Sequence, residues 1–251
     1  MSLYSYRKEY YSPKKKAVSM ASYVLLTVGS LLLFWSFYPV ISFEIYSFLY
    51  IKRKINSPVP SSAVSALQQA NSILGSYNVF SNNIRDFTQA SLWFPTLLEE
   101  TANFEPKINE YTLSIPRLNI KKANVKVGGE DLAKSLVHYL PKSLPGQYGN
   151  VVIFGHSSLP QLYNEKDYKT IFTYLPSLSK GDGIYVEIDG VEYEYEIYDM
   201  FVVNPDQVSV LEQQNDASYL TLITCVPPGT YWKRLIVKAK LKALPSETVV
   251  E

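Results

Sequence analysis

At 251 residues the chain has room for one sizeable folded core with appendages. Its composition, 47% hydrophobic, 14% aromatic and 19% charged, excludes a disordered or collagen-like chain, and a net charge of +1 excludes a nucleic-acid grip spread over the whole surface. A single cysteine, Cys225, rules out an intramolecular disulfide, and with only His138 and His156 beside it a structural zinc site of several Cys and His ligands is disfavoured.

The first element is a membrane anchor. No residue from Ala17 to Phe43 is charged, and this run exceeds the ~20 apolar residues needed to cross a bilayer core. It is also too long for the ~7–15-residue apolar stretch of a cleavable signal peptide, and no small-residue cleavage site follows it. Residues 17–43 are therefore expected to span the membrane once, with 1–16 as a cytoplasmic tail. Arg7, Lys8, Lys14, Lys15 and Lys16 outweigh Lys52, Arg53 and Lys54, which orients the N-terminus inward and the rest of the chain outward.

Residues 44–106 read as an extracellular stalk. Between Ile55 and Leu98 the only charges are the adjacent Arg85 and Asp86, and Pro58 and Pro60 lie near the start of that stretch. Val64, Leu67, Ala70, Ile73 and Leu74 fall at helical spacing, which predicts a short amphipathic helix ending near Gly75. The apolar Trp93-Phe94-Pro95 is expected to dock on the domain that follows, either as simple packing or as a lid over a site.

From Lys107 to Glu251 the texture changes to short β-type runs. The predicted strands are Tyr111–Ile115, Val151–His156, Ile184–Ile188, Glu192–Tyr198, Tyr219–Cys225 and Leu235–Leu241. Asp189-Gly190 marks a hairpin turn. Glu130–Leu136 and the region Ile171–Leu178 are predicted to be helical. Many closely spaced short strands imply a mainly β domain, closed or nearly closed into a barrel so that open sheet edges are avoided.

The chemistry narrows quickly. A cysteine nucleophile paired with histidine must use Cys225 with His138 or His156. His156 ends the run VVIFGH and Cys225 ends YLTLITC, so both sit at strand ends beside loops. In the last strand Leu235, Val237, Ala239 and Leu241 form an apolar row facing the core, which puts Arg234, Ile236, Lys238 and Lys240 on the outer side. The same period of two places Ile223 with Cys225 and Phe154 with His156. If these strands are neighbours, Phe154, Ile223 and Ile236 line an apolar groove that ends in a cysteine, a histidine and an arginine, suited to an extended peptide with apolar side chains.

At these residues the sequence resembles the sortases, membrane-anchored cysteine transpeptidases of the bacterial cell surface. Thr221-Leu222-Ile223-Thr224-Cys225 matches the family's TLxTC signature. Pro145–His156, PGQYGNVVIFGH, is similar to its PGxxGNxxxxGH segment, and Cys225-Val226-Pro227-Pro228-Gly229-Thr230 with Arg234-Leu235 resembles its C-x-P-x-G-T…R-L ending. The likeness covers roughly Tyr111 to Leu241. It implies a sortase-like closed β-barrel with a few short helices, and it selects His156 over His138 as the catalytic partner of Cys225 and Arg234. By the same resemblance, Cys225 attacks a Thr–Gly bond in an LPxTG-like sorting signal and forms a thioacyl enzyme. His156 protonates the leaving amine, and Arg234 stabilises the oxyanion. The acyl group then passes to an amine of a cell-wall precursor or a pilin lysine. Phe154, Ile223, Ile236 and Thr224 are the expected substrate contacts.

Phe154 departs from the small residue that many sortases have before Gly-His, which reshapes the pocket for the signal's leucine or proline. Some members bind calcium through acids near this segment, but Pro141–Asn150 contains none, so neither calcium nor another cofactor is expected. The pilus-polymerising subgroup carries a C-terminal membrane segment and an Asp-Pro-aromatic lid; neither is found in the sequence, which favours an anchoring enzyme. Two other readings use the same residues: a catalytically silent peptide-binding scaffold, and a hydrolytic cysteine peptidase that delivers the acyl group to water.

Overall fold

The computed structural model describes residues 13–51, 88–94, 108–139 and 141–242. The chain divides into two units, up to Ser42 and from Phe43 onward. The first contains most of α1 (Pro13–Tyr50), a helix whose residues from Lys14 on reach a mean hydropathy of 2.0 and are long and apolar enough to cross a membrane. Its leucines and aromatics stand outward; Leu25 is 79% exposed and Trp35 64%. The apolar run predicted over 17–43 thus lies inside a longer helix, which continues seven residues past Phe43.

The second unit is a barrel of eight strands: β1 (Glu110–Ile115), β2 (Ile120–Val127), β3 (Leu136–His138), β4 (Gly149–Phe154), β5 (Gly183–Ile188), β6 (Val191–Val203), β7 (Ser218–Val226) and β8 (Lys233–Leu241). They close in the order β1-β2-β3-β4-β7-β8-β6-β5. β2 with β3 and β4 with β7 pair in parallel; the other neighbours are antiparallel. Closure leaves no free sheet edge, as the many short strands required.

Alternation divides the strands into two faces. Leu113, Val125, Leu136, Ile153, Leu222 and Leu235 fill the interior with no exposed surface. The opposite face of β3, β4, β7, β8 and β6 carries a second apolar layer: Val137, Phe154, Ile223, Ile236 and Phe201. The end of α1 joins the interior layer's margin through Phe43 and Ser47, and Ile51, just past the helix, continues the same buried spacing of four.

Several expectations change. The predicted strand Val151–His156 starts earlier and ends at Phe154, so His156 lies in the loop beyond it. The helix predicted over Glu130–Leu136 does not form, and within Ile171–Leu178 only a single 3₁₀ turn, Leu175–Ser177, does. Residues 131–135 make a bridge and turns, and 168–178 are successive tight turns in which Leu175 N–H donates to Phe172 and Ser177 N–H to Tyr174. Pro176 has no N–H to extend such a ladder into an α-helix. The helix predicted over 64–74 and Pro95 lie outside the described residues.

Candidate active site

The strand order makes β4, β7 and β8 consecutive, and their register sets the site. Phe154 pairs with Ile223, and Ile223 with Ile236, so the three groove residues stand in one row across three strands. One step further along, Cys225 pairs directly with Arg234. β4 ends at Phe154, but its parallel ladder runs on: Gly155 N–H donates to the Ile223 carbonyl at 3.1 Å, and Ser157 Oγ donates to the Cys225 carbonyl at 2.6 Å. His156 is thereby held level with Cys225, completing a row of histidine, cysteine and arginine beyond the apolar one.

Local packing explains the Gly-His pair. A Cβ at Gly155 would overlap the Phe172 and Leu136 side chains, so the chain reaches the histidine only through a residue without one. Phe172 N–H donates to the His156 carbonyl at 2.9 Å, fixing the next turn.

Thr224 is not a groove residue. It points to the opposite side from Ile223 and Cys225, and its hydroxyl donates to the Gly155 carbonyl at 2.8 Å. Its work is to tie β7 to the start of the histidine loop. His138 likewise belongs to the barrel interior, edge-on to Tyr111 at 5.9 Å, away from the cysteine-bearing face.

The outer face predicted for Arg234 is correct, but the residue is only 3% exposed. Residues 88–94 cover it. This segment is anchored by Ala90 N–H to the Glu130 carbonyl and by Leu132 N–H to the Thr88 carbonyl, and it turns through a 3₁₀ helix at Ala90–Trp93. Trp93 stacks on Phe154 at 5.3 Å and tilts against the His156 ring at 5.6 Å, with the Arg234 guanidinium 5.3 Å from its ring centre. The Trp93 carbonyl accepts from Arg234 Nη2 at 3.3 Å, and Phe94 leans on Phe154 at 5.8 Å. Both aromatic side chains are fully buried. The docking expected of Trp93-Phe94 is thus onto the candidate site itself.

This cover sets the electrostatics. Burial pushes the Cys225 thiol up from its ordinary value, partly opposed by the Arg234 charge. Burial also lowers His156 to about 4, partly opposed by Asp131. At neutral pH the covered site therefore holds a thiol and a neutral imidazole. Two buried polar atoms, His156 Nε2 and Arg234 Nε, have no hydrogen-bond partner among the described residues. Asp131 is a site neighbour that the sequence did not single out. It shares a short antiparallel bridge with Gln89 and acts on His156 through charge. Among the described residues, no group of three or more His, Cys, Asp or Glu side chains is placed to hold a metal ion.

A sortase domain model matches residues 113–242, more than half of the chain. Sortase D of Bacillus subtilis (strain 168) is 29% identical over 145 residues, covering 55% of this chain and 68% of that protein. Sortase A of Bacillus anthracis is 30% identical over 129 residues, covering 51% of this chain and 58% of that protein. Among solved structures, a sortase D5 transpeptidase of Clostridium perfringens aligns at a TM-score of 0.47 and 25% identity over 63% of this chain and 92% of that one. A lid mutant of sortase A from Corynebacterium diphtheriae aligns at 0.48 and 26% over 74% and 95%. With the domain matched over most of the barrel, the chain belongs to the sortase family.

Proposed function

We propose that the protein is a cysteine transpeptidase in which Cys225 is the nucleophile, His156 the general acid and base, and Arg234 the oxyanion-binding group. The observation that carries this reading is the row of three, Cys225 and Arg234 paired on adjacent strands and His156 in the loop that prolongs β4, in which His156 Nε2 and Arg234 Nε are buried without partners among the described residues. Buried polar groups are rarely left unsatisfied, and those that are call for a role. A substrate carbonyl supplies the acceptor for Arg234, and a leaving or entering amine the partner for His156.

In this reading the Cys225 thiol gives its proton to the neutral imidazole of His156, and the resulting thiolate attacks the threonine carbonyl carbon of an LPxTG-like signal. The C–S bond forms and the carbonyl oxygen takes the negative charge; the Thr–Gly C–N bond then breaks as His156 gives its proton to the departing glycine amine. Arg234, always charged, holds the oxyanion between these steps. An incoming amine from a cell-wall precursor or a pilin lysine then attacks the thioester carbon, yields its proton to His156 and releases the Cys225 thiolate. Phe154, Ile223 and Ile236 supply the apolar floor for the signal's leucine and proline. The catalytic domain acts outside the cell, tethered by α1.

Residues 88–94 are a lid in the same reading. Trp93 occupies the apolar floor with its ring and engages Arg234 with its carbonyl, the two contacts the signal peptide needs. Binding of the signal therefore requires this segment to leave.

The test uses the full chain in lipid nanodiscs, offered a panel of LPxTG-like peptides with and without an amine acceptor, read by intact mass beside Cys225→Ala. A thioacyl adduct on Cys225 and an amine-dependent ligated product are expected. Hydrolysis that ignores the amine would make the protein a peptidase, and peptide binding that survives Cys225→Ala without any adduct would make it a scaffold.

A further inference from the structure

The apolar floor of the site is not uniformly aliphatic. Ile223 and Ile236 form its row on β7 and β8, but the β4 member of the row is a ring, Phe154. A neighbouring strand sets the plane of that ring. Val137 pairs with Phe154, so Tyr139, two residues on, is its diagonal neighbour on the same face. The Tyr139 ring stacks on Phe154 at 4.8 Å with 21° between planes. Tyr139 is itself buried, and its N–H donates to the Val152 carbonyl at 2.8 Å, which extends the β3–β4 ladder to it. Two buried rings in near-parallel contact have little room to turn. Phe154 therefore keeps its orientation whether or not residues 88–94 cover it.

The occupant of this floor is flat as well. Only 12° separates the planes of Trp93 and Phe154. The same indole meets the His156 ring at 58°, and the Arg234 guanidinium lies 5.3 Å from its centre. The place it fills is thus bounded by a π face, a second ring and a cation. Each of these favours an aromatic occupant beyond its hydrophobic area, through the ring quadrupole. An aliphatic side chain of equal bulk gains the area alone. All three partners belong to the barrel and its histidine loop, and they stay behind when residues 88–94 leave.

We propose that Phe154, held by Tyr139, is a specificity-determining residue that selects an aromatic side chain at one of the two apolar positions of the sorting signal, where an LPxTG signal has leucine or proline. The proposal rests on the transpeptidase reading and its lid. Trp93 marks the kind of side chain the floor accepts, because it makes there the two contacts that the signal must replace, a ring on Phe154 and a carbonyl on Arg234 Nη2. The surface proteins this site processes best then carry phenylalanine, tyrosine or tryptophan shortly before the threonine.

The test compares peptides on one folded protein, the full chain in lipid nanodiscs with an amine acceptor. Starting from an LPxTG peptide, the leucine and the proline are replaced in turn by phenylalanine, tryptophan and cyclohexylalanine, which has the bulk of phenylalanine without its π system. Lid opening is common to every peptide and cancels in ratios of kcat/KM. In one of the two series the phenylalanine and tryptophan peptides are expected to react at least about tenfold faster than both the LPxTG and the cyclohexylalanine peptides. Phe154→Leu should abolish that ratio and Phe154→Tyr should keep it, with melting profiles followed for both variants. If the LPxTG peptide is fastest in both series, the aromatic preference is overturned while the transpeptidase stands. Equal rates for phenylalanine and cyclohexylalanine would show that the floor reads bulk and not a ring, and a preference that survives Phe154→Leu would take the selection away from Phe154; either result overturns the proposal. If no peptide acylates Cys225, the transpeptidase reading fails and the preference with it.

Discussion

Trp93→Ala should open the site. The indole is fully buried, stacked on Phe154, tilted on His156 and faced by the Arg234 guanidinium. Truncating a buried aromatic to alanine costs about 3–5 kcal/mol. Here the loss falls on lid closure, because the interior layer of the barrel does not include Trp93. Taking about 3 kcal/mol at 1.36 kcal/mol per tenfold, the closed-to-open ratio drops about a hundredfold. Cys225 is 2% exposed with the lid in place, so its reaction with a small charged thiol reagent reports opening directly. The expected result is alkylation about 10–100 times faster in Trp93→Ala, with the ceiling set where the open form becomes the majority. Phe94→Ala should show the same direction. The assay is intact mass against time on the full chain in nanodiscs, with the melting profile followed in parallel. An unchanged alkylation rate in a variant that melts like the parent would refute the lid.

The pH dependence of that alkylation is a second measure. Burial raises the Cys225 thiol, so the parent should react appreciably only above the usual thiol range, and Trp93→Ala should shift the midpoint down; identical profiles would separate the thiol from the lid. Arg234→Lys should retain the fold but lower the transpeptidation rate about 10²–10³-fold, because an ammonium cannot reproduce the planar fork that holds the Tyr231 carbonyl and, once Trp93 has left, a substrate oxygen together; parent-like rates would remove Arg234 from the mechanism. His138 is held at about 3 by burial against an ordinary 6.5. The unfolded chain therefore binds the extra proton between those values, and stability should fall as pH drops below about 6.5, by up to about 1.4 kcal/mol per pH unit. Urea midpoints across pH 4–7 should show this slope, and His138→Phe should reduce it to the part left by His156, which burial lowers to about 4. Gly155→Ala should cost about 1–3 kcal/mol from overlap with Phe172 and Leu136, read as a lower urea midpoint.

The alternation of Leu235, Val237 and Ala239 against Arg234 and Ile236 was enough to read both faces of β8, and the same period placed Phe154, Ile223 and Cys225 on one side. What periodicity lacks is partner choice. The parallel register of β4 with β7, which levels His156 with Cys225, joins segments some seventy residues apart. β2 escaped because Lys121 and Lys122 are both exposed in succession and Lys122 has a positive φ of 47°, breaking the period of two. β3, at three residues, is too short to show any period. The turns around Leu175 imitate helical spacing because i to i+3 bonds bring the same residues to one side. Thr224 was placed in the groove by its motif, although its own parity in β7 puts it with Leu222 on the interior side. The burial of Arg234 depends on Trp93, a residue far upstream whose docking no strand pattern encodes.

The covered cysteine has a consequence for the lifetime of the protein. Oxidation of a cysteine to sulfenic and then irreversible sulfinic and sulfonic acids tracks its thiolate fraction and its exposure. Under Trp93, Cys225 has little of either. The chain has no second cysteine to resolve a sulfenic acid as an internal disulfide. A molecule with Cys225 covered in this way is thus preserved in an oxidising setting by geometry alone, and in the lid reading proposed above the thiol becomes vulnerable only while the segment at 88–94 is displaced.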